Sequence, residues 1–90
     1  MAEIKNYRRI WLHMRVIYYP TKEERKRCGF KATMSADVED MYENNVFDLK
    51  VRCFNGEDFV VRHCEKRLSS LPDTKQEAVW DFTEEYDVKN

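Results

Sequence analysis

The sequence predicts an α+β fold: an antiparallel sheet of three or four strands with two helices packed on one face. Three observations predict it. Two runs of β-branched and aromatic residues flank Asn55-Gly56 inside VFDLKVRCFNGEDFVVRHC, Val46 to Cys64, which is the strongest short-range hairpin signal. The segment Arg9 to Tyr19, RIWLHMRVIYY, alternates with a period of two. Helix-start residues stand before two further segments, at Ser35 and at Pro72-Asp73-Thr74.

Residues 1–6 and 88–90 read as loose ends of one 90-residue domain. In the Arg9–Tyr19 segment, Ile10, Leu12, Met14, Val16 and Tyr18 alternate with Arg9, Trp11, His13, Arg15, Ile17 and Tyr19. Ile4, Tyr7, Trp11, Met14 and Tyr18 also fall on a helical stripe, so a helix competes. The β-branched and aromatic content favours a strand, and Pro20 ends it. Thr21-Lys22-Glu23-Glu24 is a capping box, with Gly29 placed to close two turns of helix. The stretch has no apolar stripe, so a solvated loop fits equally. Phe30, Ala32 and Met34 alternate with Lys31 and Thr33, which suggests a short strand.

Ser35 then suits the N-cap of a helix from Ala36 to about Asn44. Asp37, Glu39 and Asp40 sit at its positive end, and Val38, Met41 and Tyr42 form its buried stripe. Asn44-Asn45 can adopt the left-handed conformation that stops it. In the hairpin, a three-residue turn Phe54-Asn55-Gly56 with Gly56 left-handed pairs Val51 with Phe59 and Leu49 with Val61. On the other face it pairs Arg52 with Asp58 and Asp48 with Arg62. Apolar and opposite-charge pairs each meet their own kind, at roughly 0.2–1 kcal/mol per pair. The alternative two-residue turn would set Leu49 against Arg62. Thr74 with Glu77 forms a second capping box. Ala78, Val79, Phe82 and Tyr86 make one face of a final helix, with Trp80 beside it.

These phases send Ile10, Leu12, Met14, Val16, Phe47, Leu49, Val51, Phe59 and Val61 towards the helices. The opposite face of the sheet receives Arg9, Trp11, His13, Arg15, Tyr19, Lys31, Lys50, Arg52, Val60 and Arg62, together with Asp48 and Asp58. Of these, Arg9, Trp11, His13, Arg15, Tyr19, Lys50, Arg52 and Arg62 are the candidate partner-binding residues. Exposed Trp, Tyr and Arg are the types that anchor protein interfaces. The same set could stack on bases and track phosphates of single-stranded nucleic acid.

Composition narrows the function classes. The net charge is −1, but nine Lys/Arg stand against three Asp/Glu in residues 1–35, while residues 36–48 hold five acids and no base. Such asymmetry speaks of partners rather than fold. MAEIKNYRR does not read as a secretory signal, and no stretch is long and apolar enough to span a membrane; a cytoplasmic protein is expected. The three cysteines, Cys28, Cys53 and Cys64, lack CxxC spacing, so reduced thiols are the simplest account. The hairpin register separates Cys53 from Cys64 and leaves open a bridge from Cys28 to either. His13, Cys28, Cys53, His63 and Cys64 fit no zinc pattern. No Ser/His/Asp arrangement is visible, and with Gly29 and Gly56 alone no phosphate-cradling loop exists. The expectation is therefore a non-enzymatic module without metal or cofactor, of inhibitor or adaptor type, that docks on a protein or on a second copy of itself. Binding of RNA or single-stranded DNA through the same face is the alternative.

Overall fold

The structure, a computed structural model, describes residues 11–29, 31–53 and 55–83. The chain runs through β1 (Arg15–Tyr19), α1 (Lys22–Cys28), β2 (Met34–Met41), β3 (Phe47–Val51), β4 (Phe59–Lys66) and β5 (Val79–Phe82). Short 3-10 turns at Glu43–Asn45 and Asp73–Lys75 precede β3 and β5. The strands close into a barrel in the order β1-β2-β3-β4-β5. Neighbours are antiparallel, including β1 with β5, except for a short parallel pairing of β4 with β5. The expected open sheet under two helices is thus replaced by a closed barrel with one short α-helix among the described residues. No helix among them is long and apolar enough to cross a membrane.

Two segments expected as helices are strands. In β2, Met34, Ala36 and Val38 are buried and alternate with Ser35 and Asp37. That period of two serves a strand paired on both sides, with β1 and β3. Ladder hydrogen bonds from two neighbours outweigh the local capping signal at Ser35. Of the expected helical stripe, Val38 is buried while Met41 and Tyr42 are exposed. In β5, Trp80 is fully buried, stacked on Phe47 with centroids 4.4 Å apart. The capping residues Pro72 to Thr74 make a 3-10 turn that does not propagate. Gln76, also buried, holds this turn by donating to the carbonyls of Leu68 and Leu71 at 2.7 and 2.9 Å.

Other expectations hold. The capping box at Thr21 forms: its hydroxyl accepts from the Glu24 N–H, and the Glu24 carboxylate accepts from the Thr21 N–H. Gly29 closes α1 at φ 95°, a conformation that favours glycine. Glu24 also accepts from the Tyr18 hydroxyl at 2.7 Å, which fastens α1 to the barrel. The hairpin has the expected register, with Leu49 opposite Val61 and Val51 opposite Phe59, and Gly56 at φ 88°. Asn44 and Asn45 are left-handed, ending not a helix but the turn after β2.

The N-terminal strand is shorter than expected. Residues 11–14 turn, with His13 at φ 67°, and β1 begins at Arg15. Leu12 is therefore exposed rather than buried. The strand from Phe30 is not formed at Lys31 to Thr33, and Ala32 is exposed. Arg9, Ile10, Phe30, Phe54, Tyr86 and the two loose ends lie outside the described residues. Cys28 and Cys53 form a disulfide, Cα atoms 5.3 Å apart, which corrects the expectation of reduced thiols. Cys64 is a buried free thiol, its pKa pushed up to about 12 chiefly by burial and then by Glu24 and Glu65.

Candidate docking face

Outward positions of neighbouring strands line up across the barrel. Arg15 stands opposite Asp37, Asp37 opposite Lys50, and Lys50 opposite Val60. Two residues away along the chain from Lys50 and Val60, Arg52 and Asp58 flank this row on one side, and Asp48 and Arg62 on the other, where the Tyr42 hydroxyl also meets Asp48.

Asp37 anchors the first half of the face. One carboxylate oxygen accepts from Arg15 Nε at 2.8 Å, the other from Arg52 Nη2 at 2.7 Å and Nε at 3.2 Å. Arg52 Nη1 also lies 3.9 Å from Asp58. The Asp37 side chain is 15% exposed, whereas both arginines are half-exposed. Burial alone would raise its pKa, but the hydrogen bonds from Arg52 and Arg15 outweigh burial and hold it below the ordinary carboxylate value.

Asp48 anchors the second half. The β2–β3 ladder shifts register between Val38 and Asp40, and the β3–β4 ladder between Phe47 and Leu49, so the strands bulge on both sides of Asp48. In β4 the two residues Arg62 and His63 oppose this single residue, with His63 at φ 53°. Asp48 accepts from the His63 backbone N–H at 2.8 Å, the Tyr42 hydroxyl at 2.7 Å and Arg62 Nη1 at 3.4 Å. The Tyr42 ring stacks on the His63 ring, centroids 4.4 Å apart and planes 12° from parallel. Asp48 is 5% exposed while Arg62 is 74% exposed. Burial raises the Asp48 pKa, and the His63 N–H and Tyr42 hydroxyl more than reverse it, so the carboxyl stays below its ordinary range.

The result is a layered surface. Carboxylates lie recessed against the barrel, guanidinium groups project above them, and Val60, 52% exposed, stands among them. Of the residues expected on the partner-binding face, Arg15, Lys50, Arg52 and Arg62 come together here. Trp11 and His13 are exposed on the turn before β1, where the His13 N–H donates to the Val38 carbonyl at 2.7 Å. Arg9 lies outside the described residues. Tyr19 is not on the face: it is 8% exposed, opposite Val79, with the Arg67 guanidinium over its ring.

Asp37, Tyr42 and His63 complete the face and were missed by the sequence reading, which placed the first two on a helix. The alternation of Met34, Ala36 and Val38 was the signal that would have put Asp37 outward on a strand. Nothing local announces the bulge that brings Tyr42 and His63 over Asp48. Comparison with protein-family models, curated proteins and solved structures returns no match.

Proposed function

We propose that the chain is a small non-enzymatic binding module of inhibitor or adaptor type, which docks on a protein partner through the outer face of β2, β3 and β4. The observation that supports this reading is an exposed apolar side chain, Val60, opposite Lys50 on the face that also carries Arg52, Arg62 and the Tyr42–His63 stack. Arginines and aromatic rings around an apolar centre are the composition of interface hot spots. Arg15 and Arg52 are already held by Asp37, so less side-chain freedom is lost on binding. Arg15, Lys50, Arg52 and Arg62 are exposed on this face, which suits a partner that carries acidic groups around a small apolar contact.

The three carboxylates within the face, Asp37, Asp48 and Asp58, weaken its attraction for a phosphate backbone, which favours a protein over nucleic acid. The Cys28–Cys53 bridge argues for an oxidising environment rather than the reducing cytoplasm, and the proposal carries no cytoplasmic location.

The test is capture from nuclease-treated extract of the source cells. Wild-type protein is compared with Val60→Asp and with Leu68→Asp, which places the same charge in the loop after β4. A protein retained by wild type and Leu68→Asp but lost with Val60→Asp supports the proposal, whether it is a different chain or a second copy. Retention that disappears with nuclease, or a captured protein indifferent to Val60→Asp, overturns it.

A further inference from the structure

A separate cleft opens between the end of β1, α1, the segment before β2 and the 3-10 turn before β5. Tyr19, Arg25, Ala32, Thr33, Asp73 and Thr74 line its volume of about 390 Å³. That lies within the range of small-molecule sites, roughly 300–1,000 Å³.

Its polar groups are unevenly satisfied. Arg25 reaches the Ala32 carbonyl through Nη2 at a long 3.5 Å, and its Nε is buried without a hydrogen-bond partner among the described residues. Arg67 stands behind the cleft wall: it pairs with Asp73 through Nη2, its guanidinium lies over the Tyr19 ring, and its Nε is likewise buried and unpartnered. A buried guanidinium donor without an acceptor is costly; one belongs to a residue that lines the cleft, Arg25, and the other to Arg67, which touches the lining residues Tyr19 and Asp73. The acid in the cleft, Asp73, is engaged by Arg67. Among the described residues no carboxylate forms an ion pair with Arg25. The exposed hydroxyl residues Thr33 and Thr74 supply further donors.

We propose that this cleft binds a small organic oxyanion, a phosphate monoester or a carboxylate, with the charged group on Arg25 and the two threonines and the remainder against Tyr19 and Ala32. Guanidinium donors pair with both kinds of oxyanion through charge-assisted hydrogen bonds. The site is distinct from the proposed docking face and does not rest on it.

Titration of ¹⁵N-labelled protein tests this, with inorganic phosphate, glycerol phosphate, acetate and, at matched ionic strength, sodium chloride. The expected result is saturable shifts at Tyr19, Arg25, Thr33, Asp73 and Thr74 with a phosphate or with acetate, whichever class the site takes. Chloride should not reproduce them, and Arg25→Gln should weaken binding about tenfold or more while the rest of the spectrum is unchanged. If Arg25→Gln does not fold, Thr74→Val is read in the same way. Shifts that fail to saturate, that chloride reproduces, or that survive the substitution overturn the proposal.

Discussion

The indole N–H of Trp80 donates to the backbone carbonyl of Asn45 at 2.9 Å, across a sequence separation of 35. This bond ties β5 to the turn that precedes β3. The two segments are not sheet neighbours; the bond links the buried indole to an exposed turn, and the Trp80 ring also packs edge-on against Phe82 at 5.1 Å.

Trp80 is therefore expected to be the most sensitive position of the fold. Trp80→Phe keeps a ring but strands the Asn45 carbonyl, at a cost of about 1–3 kcal/mol. Trp80→Ala adds a cavity and should cost about 3–5 kcal/mol. In a domain of this size each kcal/mol lowers Tm by about 4–8 °C. Thermal melts followed by circular dichroism check both, and a Trp80→Ala protein that melts with wild type would refute the burial.

The Cys28–Cys53 bridge closes a loop with a sequence separation of 25, which the chain-entropy account values at about 3.5 kcal/mol. Adding a reductant, or replacing both cysteines by serine, should lower the urea midpoint accordingly. The loss should come with increased amide exchange in α1, because the bridge holds its last residue to the end of the hairpin strand. Glu24 and Tyr18 hold the other end of α1 to the barrel, so exchange should rise more at Cys28 than at Lys22. Equal urea midpoints with and without the bridge would show that it adds nothing.

Asp48 sets an acid limit on stability. Its folded-state pKa is lowered from the ordinary value of 3.8, because the His63 N–H and Tyr42 hydroxyl together outweigh burial. A carboxyl depressed on folding stabilises the folded state above its unfolded pKa and loses that contribution as pH falls through the folded value. Asp37 is lowered too, by Arg52 and Arg15 against burial, and its contribution runs the same way. Stability should thus be level near neutrality and decline below about pH 4. Asp48→Asn should be less stable than wild type at pH 7 by about 1–3 kcal/mol, and the gap should narrow on acidification. Urea midpoints at a series of pH values check this; a gap independent of pH would assign the effect to shape rather than charge.

Local signals in the sequence decide the structure where the residues that set the conformation are close together. Asn55-Gly56 with its flanking alternation determined the hairpin and its register. Thr21, Glu24 and Gly29 determined where α1 begins and ends. Pro20 and the alternation of Met14, Val16 and Tyr18 determined which way β1 faces. What remained illegible depended on distant partners. The Ser35–Asn44 stretch carries helix-capping residues and an alternating apolar set together, and only strands on both sides, β1 and β3, select the second.

The same holds for Val79–Phe82, whose local pattern suits a helix until Trp80 finds Phe47 and Asn45. Closure of the barrel is a property of all five strands at once, and it turned the expected open face into the outside of a closed surface. The partner-binding set divided accordingly. Arg15, Lys50, Arg52 and Arg62 followed from strand phase alone. Tyr19 is covered by Arg67 and lines the separate cleft, and Asp37, Tyr42 and His63 join the face, because bulges and cross-strand pairing are set by contacts between segments far apart in the chain.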